Sequence, residues 1–200
     1  MNRTSLRPLA VMVLAGAVLS ACATRPEADV TRFHLGQPIA RSTIFVTPLD
    51  SAAASTLEFR TYASGVAQAL RGAGFNPVER GADAELIAVV GAQQTTRESL
   101  DRGTGLSIGI GGGTFGRHVG IGGGVTIPVG KRKPNEVAIN LLSVQLKRRS
   151  DNSVVWEGRA VAEARAGTDG ASLSAAVPRL AQALMQEFPG PSGRTVRVTL

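Results

Sequence analysis

Residues 103–130 read GTGLSIGIGGGTFGRHVGIGGGVTIPVG and hold twelve of the chain's twenty-four glycines. Glycine loses more conformational freedom on ordering than any other residue, so a helix is excluded here. The apolar residues between the glycines are ordered by parity. Leu106, Ile108 and Ile110 alternate along the first half, and Val119, Ile121, Val125, Ile127 and Val129 share one parity along the second. The positions between them are mainly Gly, Ser or Thr. Period two, with one apolar face and one nearly bare face, predicts a β-hairpin with its tip near Gly113 to His118 and arms of about ten residues.

Other uses of so much glycine fail on the residues. Gly111, Gly113 and Gly116 match the spacing of a dinucleotide loop, but a helix must follow such a loop to receive the pyrophosphate, and RHVGIGGGV follows instead. Gly130 and Lys131 fail as a phosphate loop, because Val125 stands at the leading glycine position and Arg132 at the Ser/Thr position. Flexible linkers are poor in Ile and Val, unlike this stretch. Two readings stay open. Either Ile108, Ile110, Phe115, Ile121, Val125 and Ile127 form a face that packs on the chain's own sheet or a partner, or several copies contribute hairpins to an oligomeric barrel in lipid. Phe115 is the stretch's one aromatic, where membrane barrels carry girdles.

The amino terminus carries Arg3 and Arg7, then the apolar run LAVMVLAGAVL, Leu9 to Leu19. That run is too short for a bilayer-spanning helix, which needs about 20 residues, and suits the apolar region of a secretory signal. LSAC, Leu19 to Cys22, resembles the lipobox of bacterial lipoproteins, which implies signal cleavage before Cys22 and lipid attachment to it. By the same resemblance, Ala23 rather than Asp favours the outer membrane, with the domain facing the periplasm. Cys22 is the sole cysteine, so no intrachain disulfide can form. Residues 1–21 therefore read as a signal peptide, 22–29 as a tether interrupted by Pro26, and 30–200 as one domain.

Loss of residues 1–21 removes two arginines and no acid, lowering the formal charge from +7 to +5. A basic exported chain is expected to meet an envelope protein, lipopolysaccharide or cell-wall polymer, not nucleic acid. KRK at Lys131 to Lys133 and KRR at Lys147 to Arg149 carry much of this charge. Solvated loop ends account for both as well.

Along the domain, STIFVTPL reads as a buried strand around Ile44, Phe45 and Val46. Ser55 with Glu58 forms a capping-box pattern before Phe59, Tyr62, Val66 and Leu70 at helical spacing, and Gly72 and Gly74 end that helix. FNPVE predicts a short edge strand, since Pro77 cannot donate to a ladder. AELIAVVGAQQTTRE is a longer strand, and residues 135–166 form two strands around SDNS, with a bulge or a doubly buried strand near Leu141 and Leu142. Leu173, Val177, Leu180, Leu184 and Phe188 share a helical face, with Pro178 beginning or kinking the helix, and RTVRVTL alternates as a closing strand. The expected fold is α+β, a mostly antiparallel sheet with two helices on one face plus the Gly-rich hairpin.

Catalytic constellations are sparse. His34 and His118 are the only histidines, which excludes a metal site of several imidazoles, and no cofactor motif occurs. Both histidines read as satisfied or solvated surface groups. No Gly-x-Ser-x-Gly elbow is present, and nothing marks Ser51, Ser55 or Ser99 as a nucleophile. Asp83, Glu85, Glu98 and Asp101 would form an acid–base pair only if folding brought two of them together. The expectation is a non-enzyme.

Taken together, TIFVTPL, ALRGAGF, ADAELIAVV, the Gly-rich insertion, SVVWEGRA and LMQEFPGPSGRTVRVTL resemble the bacterial lipoprotein family known as domain of unknown function 4136 over roughly residues 30–200. The resemblance implies an outer-membrane-anchored α+β domain, brings no catalytic residues with it, and leaves homo-oligomers open. At fold level alone, the element order is also similar to periplasmic assembly modules of the curli-secretion and TolB amino-terminal kind.

Overall fold

The computed structural model describes residues 25–98 and 136–200. Seven strands form one mixed sheet: β1 (Glu27–His34), β2 (Thr43–Pro48), β3 (Asn76–Val78), β4 (Leu86–Glu98), β5 (Glu136–Arg148), β6 (Val154–Arg165) and β7 (Thr195–Thr199), in the order β3-β2-β4-β5-β6-β1-β7. Helices α1 (Leu57–Gly72) and α2 (Leu173–Met185) cover one face, so the fold is α+β. The antiparallel expectation holds from β4 to β7. It fails at β2, which runs parallel to both β3 and β4. The reason is the connection: the chain leaves β2 through α1 and returns, and a helical crossover delivers the next strand parallel.

The folded part begins sooner than expected. Residues 27–29, read as tether, form the start of β1, where Ala28 pairs with Ala162 on one side and Val198 on the other. Ala28 and Val30 are buried, as are Leu142, Val144 and Leu146 of β5 and Trp156 and Ala160 of β6, all facing the helices. Tyr62, Val66 and Leu70 from α1 and Val177, Leu180 and Leu184 from α2 complete the core, each large aliphatic side chain contributing about 1.5–3 kcal/mol by burial.

The amino terminus of α1 lies one residue beyond the expected cap. Ser51–Ser55 forms a 3-10 turn capped by the Asp50 side chain, which occupies Ser55, and the Thr56 hydroxyl accepts from the Phe59 amide at 3.1 Å. Glu58 accepts instead from the Tyr62 hydroxyl. This bond and burial hold the Tyr62 pKa above its usual range, burial being the larger cause. The helix ends in a Schellman motif: the Gly74 amide, at φ +94°, donates to Arg71 O at 2.9 Å and the Phe75 amide to Leu70 O at 3.0 Å.

Pro178 sits inside α2, and Phe188 lies beyond the helix end. Gly65 of α1 lets the helices approach, since a Cβ there would stand 3.0 Å from the Pro178 ring. Of the two expectations at Leu141 and Leu142, a bulge or a strand buried on both faces, the bulge is absent: the β5–β6 ladder runs through without a break, with Leu142 buried and Leu141 half-buried. The irregularity falls at Leu146/Lys147, near the turn. Strand alternation places Leu142 in the core and Leu141 on the opposite face, beside Val161.

Two segments far apart in sequence meet against α2. The Trp156 indole donates to Pro189 O at 3.1 Å, its ring lies 5.1 Å from that of Phe188, and Phe188 meets Phe75 edge-on at 5.3 Å. Arg41 lies over the Phe188 ring and reaches the Ala73, Ile39 and Phe188 carbonyls. Arg32, 3% exposed, donates to Leu184 O, Ala183 O and Gln186 O, so one guanidinium satisfies the carbonyls left open at the end of α2. Burial lowers the pKa of Arg32 and Glu187 partly opposes this.

Candidate functional site

The strand registers sort the molecule into two ends. Gln94, Asn140, Ala162, Ala28 and Val198 form one row across β4, β5, β6, β1 and β7. Glu98 and Glu136 are paired four positions further along, so they stand about 13 Å beyond that row. Glu27, the start of β1, is at this same end, three strand spacings or about 14 Å sideways from β4. Both strand ends that flank residues 99–135 therefore point the same way as the start of β1. Cys22 is five residues before Glu27 in the sequence.

A groove of about 430 Å³ occupies the opposite end, roughly 40 Å from Glu136 along β5. The chain joining β1 to β2 crosses the sheet end here and supplies Leu35, Pro38 and Ile39 to one wall, while the start of β6 supplies Val154 and Val155. Leu35 is 89% exposed and Val154 46%. Polar groups come from Gln37, Ser42, Glu85 and Ser150, and cationic ones from Arg148 and Arg149.

Arg149 is held by both its backbone and its side chain. Its amide donates to Glu85 O at 2.9 Å and its Nε to Ala84 O at 2.6 Å. Arg148 donates to the Ser153 hydroxyl at 3.2 Å. Among the described residues, no carboxylate stands within ion-pair distance of either guanidinium. The neighbouring turn is fixed by Asp151, whose carboxylate accepts from the Ser153 hydroxyl and amide, bonds that hold its pKa below the usual carboxylate range.

The residues singled out by sequence divide between these ends and the undescribed segments. Cys22, Ile108, Ile110, Phe115, Ile121, Val125 and Ile127 lie outside the described residues, as do His118, Asp101 and Lys131 to Lys133. His34 is a structural group at the end of β1. Its Nδ1 accepts from the Gly36 amide at 3.1 Å, which leaves Nε2 protonated to donate to Gly190 O at 2.9 Å. Asp83 pairs with Arg80 at 2.8 Å, and the backbones of Glu85 and Glu98 stand at opposite ends of β4. No group of three or more His, Cys, Asp or Glu suited to a metal ion occurs among the described residues, and no described helix is long and apolar enough to cross a membrane.

Sequence reasoning located the KRR cluster and left the groove unseen. Its walls come from residues 35–42, 85–86 and 148–155, and nothing in their local patterns marks them as neighbours.

The family described as domain of unknown function (DUF4136) matches residues 39–190. An uncharacterised protein of Zymomonas mobilis is 30% identical, the match covering 96% of this chain and 87% of that protein. Among solved structures, the PelC dodecamer from Paraburkholderia phytofirmans is similar at 13% identity and a TM-score of 0.44, over 79% of this chain and 94% of that one. A PDZ domain protein from Parabacteroides distasonis is similar at 11% identity and a TM-score of 0.47, over 87% of this chain and 39% of that one.

Proposed function

This chain belongs to the domain of unknown function 4136 family, and from that premise we propose that it is an outer-membrane lipoprotein, tethered through Cys22, whose periplasmic domain is a non-enzymatic binding or scaffolding module. The reading starts from the Leu19–Cys22 lipobox-like stretch and its apolar lead. The observation that carries it is the start of β1 at Glu27, five residues after Cys22 in the sequence. With β1 starting at Glu27, a lipid on Cys22 would hold one end of the sheet against the membrane and turn the groove outward. Several acyl chains together anchor a protein stably where one does not.

The experiment is metabolic labelling with an alkyne palmitate analogue, followed by fractionation. The wild-type chain should carry the label in the outer membrane, and Cys22→Ser exported with a cleavable signal should lose it and appear in the periplasm. An unlabelled wild-type chain refutes the anchor.

A second reading, an oligomeric pore-forming or secretion-assembly subunit, is favoured by one specific observation: β4 and β5 lead into residues 99–135 at the end where β1 begins. A lipid on Cys22 would bring that segment to the bilayer. Unlabelled Cys22→Ser protein that stays in the membrane fraction, and leaves it when residues 103–130 are deleted, supports this reading over a tethered soluble domain.

A further inference from the structure

The groove between the β1–β2 crossover and the β5–β6 turn is a built feature with no assigned use. Its volume of about 430 Å³ falls in the range of ligand sites, roughly 300–1,000 Å³. Leu35 and Val154 stand exposed on it. Two large apolar side chains are thus presented to water on one groove, a cost that a partner covering them would remove. The Nε of Arg149 is committed to Ala84 O, which orients the guanidinium and leaves its terminal nitrogens without a carboxylate among the described residues. Arg148 adds a second positive charge, and Glu85 is the single acid of the lining.

We infer that this groove binds an extended protein segment in which a carboxylate side chain lies beside apolar ones. The carboxylate meets the pre-oriented Arg149 guanidinium, and a charge-assisted bond to a fixed fork loses less side-chain entropy than one to a free surface arginine. The apolar side chains cover Leu35, Ile39 and Val154. Polar Gln37, Ser42 and Ser150, interspersed among the apolar groups, decide between a peptide and an acyl chain. Peptide amides satisfy them, whereas a hydrocarbon would desolvate them without partners. The inference rests on the binding-module part of the proposed function and is independent of the anchor.

The test is fluorescence anisotropy of the purified full chain with a fluorescein-labelled octapeptide of alternating leucine and glutamate. Saturable binding is expected, weakening as salt is raised. Arg149→Gln and Val154→Asp should each weaken it about tenfold or more, the first by removing the guanidinium and the second by placing a negative charge on the exposed rim. Circular dichroism should show both variants folded, and Val154→Asp changes no core contact. The inference is overturned if nothing binds at about 1 mM peptide. It is equally overturned if a leucine–glutamine peptide binds as well, if myristate displaces the probe, or if folded Val154→Asp binds like the wild type. Absent binding by protein that still takes the palmitate label at Cys22 refutes this inference and leaves the anchor standing.

Discussion

Replacing Gly158 by Ala places two opposed effects on one residue. Strand propensity favours the change, because Gly in a strand interior is worth roughly 0.5–1 kcal/mol less than Ala. Packing opposes it. A Cβ on Gly158 would stand 2.7 Å from Leu184 Cδ1 and overlap Trp156 Cη2, whereas ordinary contact begins at 3.4 Å. Leu184 alone would have to retreat by about 0.7 Å, and Leu184 and Trp156 are both fully buried, so neither can swing into solvent. Trp156 is further held by its bond to Pro189 O and its contact with Phe188. Overpacking of this kind costs about 1–3 kcal/mol, enough to exceed the propensity gain in most of that range. Net of the propensity gain the loss is up to about 2.5 kcal/mol, so at about 2–4 °C per kcal/mol for a chain of this size, thermal unfolding followed by circular dichroism should show a melting temperature lower by up to about 10 °C. Leu184→Ala removes one of the overlapping atoms, so the double variant should lose less than the sum of the two single losses. A Gly158→Ala protein as stable as the wild type, or more stable, would refute the packing argument.

Three further outcomes are expected. Arg32→Met should destabilise the domain by about 3–5 kcal/mol in chemical denaturation, because the Leu184, Ala183 and Gln186 carbonyls lose a charged donor they share, and Arg32→Lys should recover only part of this. Arg41→Lys should cost about 1–2 kcal/mol, since an ammonium cannot serve three carbonyls and lie flat on Phe188 at once, and a melting curve within error of wild type would show the stack to be idle. Asp151→Ala tests pH linkage. The folded-state pKa of Asp151 is depressed, so its contribution is complete at neutral pH, above the unfolded value, and is lost as pH falls through the folded one. The melting-temperature difference between wild type and variant should therefore close in strong acid, and a difference that grows there contradicts the assignment.

Much of the helical layer was legible because its apolar residues repeat at helical spacing: Phe59, Tyr62, Val66 and Leu70 in one case, Leu173, Val177, Leu180 and Leu184 in the other. The β5–β6 hairpin was legible from its alternation and from SDNS, where Asn152 takes φ +58°. The first residues of β1, 27–29, were not, because their one core position is a small Ala28 between Glu27 and Asp29, which reads as tether ahead of a domain starting at Val30. Likewise the exact cap of α1 depended on whether residues 51–55 would form a turn of their own.

By itself the sequence determined the residue classes: a single cysteine after an apolar lead, a glycine stretch with strand parity, two amphipathic helices and too few histidines for an imidazole metal site. These properties are local, readable within a few turns or strand repeats. Only the tertiary structure decided that β2 would pair in parallel, that Arg32 would close α2, that the start of β1 and the ends flanking residues 99–135 share one end of the sheet, and that Arg149 and Leu35 share a groove at the other. Each of these depends on strand order and register, which bring together residues from 42 to 152 positions apart and are set by the packing of the whole sheet against its helices.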